Sequence, residues 1–209
     1  MGIKERKERE KNTHRELILI SADKIIKGEG LDKLSIRKIA SDIEYSPAII
    51  YHYFHDKEEI INTIIKRNYE KIIRTLSSLQ VSEYKPEDKI KYSLEKYIQL
   101  ALEMPEEYKT ILLNNSTEVL KHTSLLFEGA SVKRKALNIL YESLKEIYMD
   151  KSLGDNFIEL TAQIIWTSTF GLILKLIIEK DIPSEQRKLL IHHHISLMVE
   201  GIILRKTIN

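Results

Sequence analysis

Leu34-Ser-Ile-Arg-Lys-Ile-Ala-Ser-Asp-Ile-Glu-Tyr-Ser-Pro-Ala-Ile-Ile-Tyr-His-Tyr-Phe-His-Asp-Lys57 reads as two short helices joined by a tight corner, with the start of a longer helix behind them. Ser35 is a helix-capping residue, and Ile36, Ile39, Ala40 and Ile43 follow at the i, i+3, i+4, i+7 spacing of an amphipathic helix. Arg37, Lys38, Ser41 and Asp42 fall on the opposite side, and Glu44 and Tyr45 fill the corner. Ser46-Pro47 then restarts the chain as a helix. A proline at the first helical position loses no hydrogen bond there, and it drives the serine before it out of helical angles.

The second helix is short, about Pro47 to Tyr53. Ile50 and Phe54 lie four apart and are placed to pack on the first helix. That leaves Ser46, Pro47, Ile49, His52 and Tyr53 nearer the outside. An outward isoleucine beside tyrosine and histidine suits a face that meets DNA, where apolar groups touch thymine methyls and hydroxyls meet phosphates. The layout is that of a helix-turn-helix, at about residues 35–54. Asp56-Lys57-Glu58-Glu59 supplies a cap with an acid three residues on, which places Lys57 near a helix N-terminus, a natural anion site.

Upstream, Thr13-x-x-Glu16 ahead of Leu17-Ile18 has the form of a capping box, so an ordered helix is expected from about Thr13. Before it, Lys4, Arg6, Lys7, Arg9, Lys11 and Arg15 stand against Glu5, Glu8 and Glu10. Such a segment is either a basic arm following the DNA backbone or a solvated helix start of mixed charge.

Residues from about 13 to 71 resemble the DNA-binding domain of the TetR family of bacterial transcriptional regulators. The resemblance rests on the Leu17-to-Gly30 helix ending in Gly28-Glu29-Gly30, on Leu34-Ser-Ile-Arg-Lys-Ile-Ala40, on Ser46-Pro-Ala-Ile-Ile-Tyr-His-Tyr-Phe54, and on Asp56-Lys57-Glu58-Glu59. It implies phosphate contacts from Ser35, Tyr51, Tyr53 and Lys57, and a base or phosphate contact from Arg37. It also implies a base-facing surface of Pro47, Ala48 and Ile49, with Ser46 and His52 beside it. One position departs from the pattern. The family commonly has Gly in the corner where this chain has Glu44, and glycine reaches positive φ without cost.

The remaining 150 or so residues carry apolar residues at helical spacing, interrupted at Pro86, Pro105, Gly129, Gly154 and Pro183. Helices are expected at about 57–80, 86–103, 106–114, 117–127, 130–150, 155–180 and 184–206. The fold class is therefore all-α: an N-terminal three-helix DNA-binding domain over 1–71 and a C-terminal helical domain over 72–209 for effector binding and dimerisation. Seven Gly and four Pro in 209 residues suit such a fold. The absence of cysteine excludes disulfides and thiolate chemistry and suits a cytoplasmic protein. No secretory signal and no 18-residue apolar run are evident, so no membrane partner is expected. A net charge of +2 is a weak argument for DNA.

The last two helices are the most apolar. A helix apolar nearly all round must be buried on more than one side, and a symmetric dimer through about 155–180 and 184–206 does this as a four-helix bundle. Trp166-Thr-Ser-Thr-Phe170-Gly171 resembles a Trp-x-x-x-His-Gly signature of a TetR subgroup, with Phe170 in place of the histidine. An effector pocket, implied by the resemblance, would draw on Tyr92, Tyr97, Met104, Tyr108, Phe127, Tyr141 and Trp166, since pockets are mostly apolar with a few polar groups. Each of these is equally a core residue by its spacing. His192, His193 and His194 do not form a metal site, because successive helical positions point about 100° apart. No cofactor motif, metal site or catalytic signature stands out. The function these features imply is a homodimeric repressor on a double-stranded operator, released by a largely apolar small molecule, and not an enzyme. The alternatives are a ligand-binding helical dimer or enzyme that has lost DNA binding, and a purely structural dimer.

Overall fold

The computed structural model describes residues 2–79, 83–149 and 153–208, and every regular element among them is a helix. The order is α1 (Ile3–Glu29), a 3-10 turn (Leu31–Lys33), α2 (Ile36–Asp42), α3 (Pro47–Tyr53), α4 (Lys57–Ser77), α5 (Pro86–Glu103), α6 (Pro105–Leu112), α7 (Thr117–Thr123), α8 (Ala130–Lys133), α9 (Lys135–Ile147), α10 (Asp155–Ile178) and α11 (Ser184–Ile208). The expected helix ends at 80 and 150 lie outside the described residues. The chain divides into two compact units, residues 1–69 with 106–120 and residues 70–105 with 121–209.

The first unit is built on α1. Ile18, Ala22, Ile25 and Ile26 form a stripe at i, i+4, i+7, i+8 and are buried with Ile39 and Ala40 of α2, Ile50 of α3 and Phe54 beyond it. Ile60, Ile61, Ile64 and Ile65 of α4 complete this core. α1 begins ten residues earlier than the capping-box reading expects. Thr13 is no cap: its hydroxyl donates to the Arg9 carbonyl at 2.9 Å, and Glu16 accepts from both Nη1 and Nη2 of Arg67 at 2.8 and 2.7 Å. The helix instead starts after Gly2, whose N–H donates to the Glu5 carboxylate at 2.9 Å. Residues 106–120 belong with this unit through buried Glu107, which accepts from Lys27 at 3.1 Å, and through Ser116, 3.2 Å from Asn62.

In the second unit α5, α9, α10 and α11 pack on one another. The single helix expected over 130–150 is instead two. Arg134 takes an extended conformation (φ −120°, ψ 106°) between α8 and α9, and its Nε donates to the Ser124 carbonyl at 2.8 Å while the guanidinium lies 5.1 Å from the Phe127 ring centre. That long-range anchoring outweighs the helical preference of the local sequence.

α10 carries an apolar window of mean hydropathy 1.5, so by length and composition it is long and apolar enough to cross a membrane, contrary to the expectation that no such run exists. Its interior polar groups are engaged within the unit. Gln163 donates to two loop carbonyls, and Thr169 donates to Ile165 O at 2.8 Å and accepts from His194 Nε2 at 3.0 Å. These bonds tie one side of α10 into the second unit.

Candidate nucleic-acid interface

The corner between α2 and α3 is a Schellman closure. Tyr45 N–H donates to the Ala40 carbonyl at 2.8 Å and Glu44 N–H to Ser41 at 3.4 Å. This closure needs a left-handed residue, and Glu44 supplies it at φ 58°, the one non-glycine residue at positive φ among the described residues. A non-glycine residue there costs about 1–2 kcal/mol, partly offset in a glycine variant by about 0.4–1 kcal/mol of added unfolded-state entropy. Glu44→Gly is expected to raise stability by about 0.5–1 kcal/mol in urea denaturation. An unchanged or lowered midpoint would contradict strain at this corner.

Ser35 caps α2, accepting from Lys38 N–H at 3.2 Å. Ser46 holds the extended N-cap angles of α3 with Pro47 at the first helical position, but its hydroxyl forms no capping bond. On α3, Ile50 is fully buried, and Phe54 just after it almost fully, which turns the other side of the helix outward. Of the ten residues expected to meet DNA, Ser35, Arg37, Ser46, Pro47, Ala48, Ile49, Tyr51 and His52 are exposed, and Tyr53 and Lys57 are half-buried. For apolar or aromatic groups, 37% exposure at Ile49 and 56% at Tyr51 are large.

The start of α4 is held by reciprocal bonds. Asp56 accepts from Glu59 N–H at 2.8 Å, and Glu59 accepts from His55 N–H at 2.8 Å. The Glu59 N–H bond, with the nearby His55, holds the Asp56 carboxyl below the usual carboxylate range, and Asp56 in turn raises His55. Lys57 is the first residue of this helix, whose N-terminal N–H groups already hold the Asp56 carboxylate.

Two residues of α1 also shape this surface: His14, which sequence reasoning left aside, and Arg15, which it placed in a candidate basic arm. His14 stacks on the Tyr53 ring (5.5 Å, 10° between planes) while its Nδ1 donates to the Glu10 carbonyl at 2.7 Å. Arg15 donates to the Tyr53 carbonyl and to Glu59 Oε1 (3.3 Å), and its guanidinium lies 4.0 Å from the Phe54 ring centre. Arg15 is thus a structural tie and no part of a basic arm. Its partners lie 38 and 44 residues away in sequence, so no local pattern signals the role.

The effector candidates fall in both units. Tyr108 is in the first unit and the other six in the second. Tyr92 stacks with Tyr84 (5.7 Å), Met104 is buried, and Phe127 lies under Arg134. Tyr141 donates to Asp155 Oδ1 at 2.9 Å, and burial together with that carboxylate pushes its pKa up to about 12. Tyr97 and Trp166 do meet, stacked at 4.6 Å.

Residues 18–64 match the family model described as bacterial regulatory proteins, tetR family. No curated protein sequence matches. Among solved structures, the chain is similar to a transcriptional regulator from Rhodococcus sp. Rha1 (17% identity, 91% of this chain and 96% of that one, TM-score 0.66). It is also similar to a putative fatty acid metabolism regulator from Clostridium perfringens (20% identity, 88% and 97%, TM-score 0.62). A third is BioQ in complex with its double-stranded DNA operator (15% identity, 90% and 97%, TM-score 0.57). At these identities the structures speak for the fold, and the match over 18–64 speaks for the domain. With its corner, its outward α3 face and that match, residues 18–64 form a helix-turn-helix segment of the kind described for the tetR family of bacterial regulatory proteins.

Proposed function

We propose that this protein is a homodimeric repressor whose two heads read a roughly palindromic operator and which a small molecule in the second unit releases from DNA. The observation that carries the DNA reading is the outward side of α3, where Ile49, Tyr51 and His52 are exposed beside Lys57 at the start of α4. Ser35, Tyr51, Tyr53 and Lys57 hold phosphates. Pro47, Ala48 and Ile49 face base edges, and Arg37, Ser46 and His52 flank them. With no Arg, Lys, Asn or Gln on α3, sequence is read through apolar contacts, His52, Arg37 and DNA shape. The heads sit about 34–36 Å apart on successive major-groove faces.

The dimer reading is supported by α10 and α11. Leu160, Ile164 and Leu197 are exposed there and line a groove of about 410 Å3 that also includes Phe157, Met198 and Ile202. Exposed apolar surface of this kind is stabilised when a second copy covers it.

The test is a mobility-shift assay on a pool of random duplexes, repeated over a range of salt. Binding at low salt with a steep salt slope supports the reading, and no binding at low salt would sink it. Tyr53→Ala and Lys57→Ala are each expected to weaken binding about 5- to 10-fold on all sequences alike, about 1–1.4 kcal/mol each. A changed sequence preference in either variant would contradict the phosphate roles.

A further inference from the structure

Tyr53, at the end of α3, lies between two histidine rings. His14 of α1 is stacked on it (5.5 Å, 10° between planes), and His52 meets it edge-on (5.1 Å, 87°). His14 also lies against Tyr45 of the corner, 5.8 Å between ring centres. Tyr45, Ile49 and Tyr53 recur every four residues, so the His14 ring borders the side of α3 that carries exposed Ile49.

One edge of the His14 imidazole is fixed. Its Nδ1 lies 2.7 Å from the Glu10 carbonyl oxygen, one turn back on α1. A carbonyl only accepts, so Nδ1 carries the hydrogen of this bond. In the neutral ring Nε2 is then a bare acceptor, and only the protonated ring offers Nε2–H as a donor. Nε2 has no partner among the described residues.

No acid neutralises a charge at this place. Glu10 accepts from Arg6 Nε at 3.1 Å, Glu59 is taken by Arg15 and by His55 N–H, and the one histidine ion pair among the described residues is His55 with Asp56. The other titratable groups against the ring are Tyr45 and Tyr53, with His52 beyond Tyr53. Lys11 and Arg15 are the neighbouring cations on α1. A half-buried imidazole with an open edge and no counter-ion suits an anion from outside, and α3 supplies no Lys or Arg to meet one.

We propose that His14 is a further DNA contact, whose protonated imidazole donates Nε2–H to a backbone phosphate beside Tyr53, so that the protein takes up a proton there when it binds DNA. This rests on the reading that the Tyr53 side of α3 meets phosphates. The sign follows from the donor requirement. Low pH supplies the protonated ring and a phosphate stabilises it, so the contact is made as pH falls through the histidine range and lost as pH rises. It neutralises one more phosphate, which steepens the fall of log affinity with log salt by about 0.9. It carries no sequence information.

The test measures the full-length protein on a mixed-sequence duplex at about pH 5.5 and about pH 8, each over a range of salt. Wild type is expected to bind about 5- to 10-fold tighter at the lower pH, with a salt slope steeper by about one. His14→Phe keeps a ring on Tyr53 without a donor, and is expected to lose both the gain and the added slope. His14→Gln keeps a donor without a titrating group, and is expected to bind equally at both pH values. Glutamine is a good helix former, so this variant carries the test where the phenylalanine variant does not fold. Either variant keeping the full gain, or a wild-type gain with no change of slope, would overturn the inference. Wild-type binding at about pH 8 with no gain at about pH 5.5 overturns this inference alone. No binding at either pH removes the DNA reading on which it rests.

Discussion

Arg15→Ala is expected to lower unfolding free energy by about 3 kcal/mol, read as a lower urea midpoint at unchanged slope. The side chain is 32% exposed and joins three elements at once. It donates to the last carbonyl of α3, bonds the Glu59 carboxylate that also accepts from His55 N–H, and covers the Phe54 ring. A hydrogen bond to a charged donor contributes about 1.5–3 kcal/mol, a cation–π contact about 0.5–2 kcal/mol, and a pair at this exposure less than about 1 kcal/mol. Truncation also strands a backbone carbonyl where α3 meets α4. Arg15→Lys is expected to recover less than half of the loss, because an ammonium has neither the planar fork nor the reach for both acceptors. A cost under about 1 kcal/mol for Arg15→Ala would mean that water replaces these bonds and that α1 does not hold the end of α3.

Gln163→Leu is expected to cost about 3 kcal/mol in the same measurement, although leucine matches glutamine closely in volume and belongs in a core. Gln163 is 7% exposed on α10, and its Nε2 donates to the carbonyls of Leu125 (2.9 Å) and Phe127 (3.0 Å). These carbonyls belong to the turn between α7 and α8. Glu159, one helical turn earlier, binds the end of the same segment, accepting from Ala130 N–H at 3.1 Å and from the Ser131 hydroxyl at 2.6 Å. Leucine leaves the Leu125 carbonyl unpaired, at about 1–3 kcal/mol, and the Phe127 carbonyl with only the Ala130 N–H at 3.2 Å, with no compensating gain. Gln163→Glu is expected to be worse, since it sets a carboxylate against two carbonyls and Glu159. The order wild type, Leu, Glu in falling stability is the expected result. A leucine variant as stable as wild type would show that the segment does not depend on α10 for its hydrogen bonds.

What could be read locally was read well in the recognition region. The caps at Ser35 and Asp56, proline at the start of α3, and Ile50 with Phe54 facing inward depend on neighbours within four residues, and so does the unusual corner at Glu44. The failures share another cause. α1 runs back to Ile3 because Thr13 and Glu16 find other partners, Arg67 of α4 among them. The helix expected over 130–150 breaks at Arg134 because Ser124 and Phe127 draw that side chain out. The aromatic residues considered for a pocket could not be told from core residues in the sequence, because one period describes a filled core and a cavity wall equally.

By itself, then, the sequence determined the helical class, the helix-turn-helix and which side of α3 faces outward, since capping, turn chemistry and a 3.6-residue period act over a few residues. Only the tertiary structure decided that Arg15 ties α3 to α4, that Gln163 carries the turn before α8, and that Trp166 stacks on Tyr97 with its N–H buried and unpaired. Each of these depends on which distant groups come within about 3–4 Å, and that follows from how the helices pack rather than from the order of residues along any one of them.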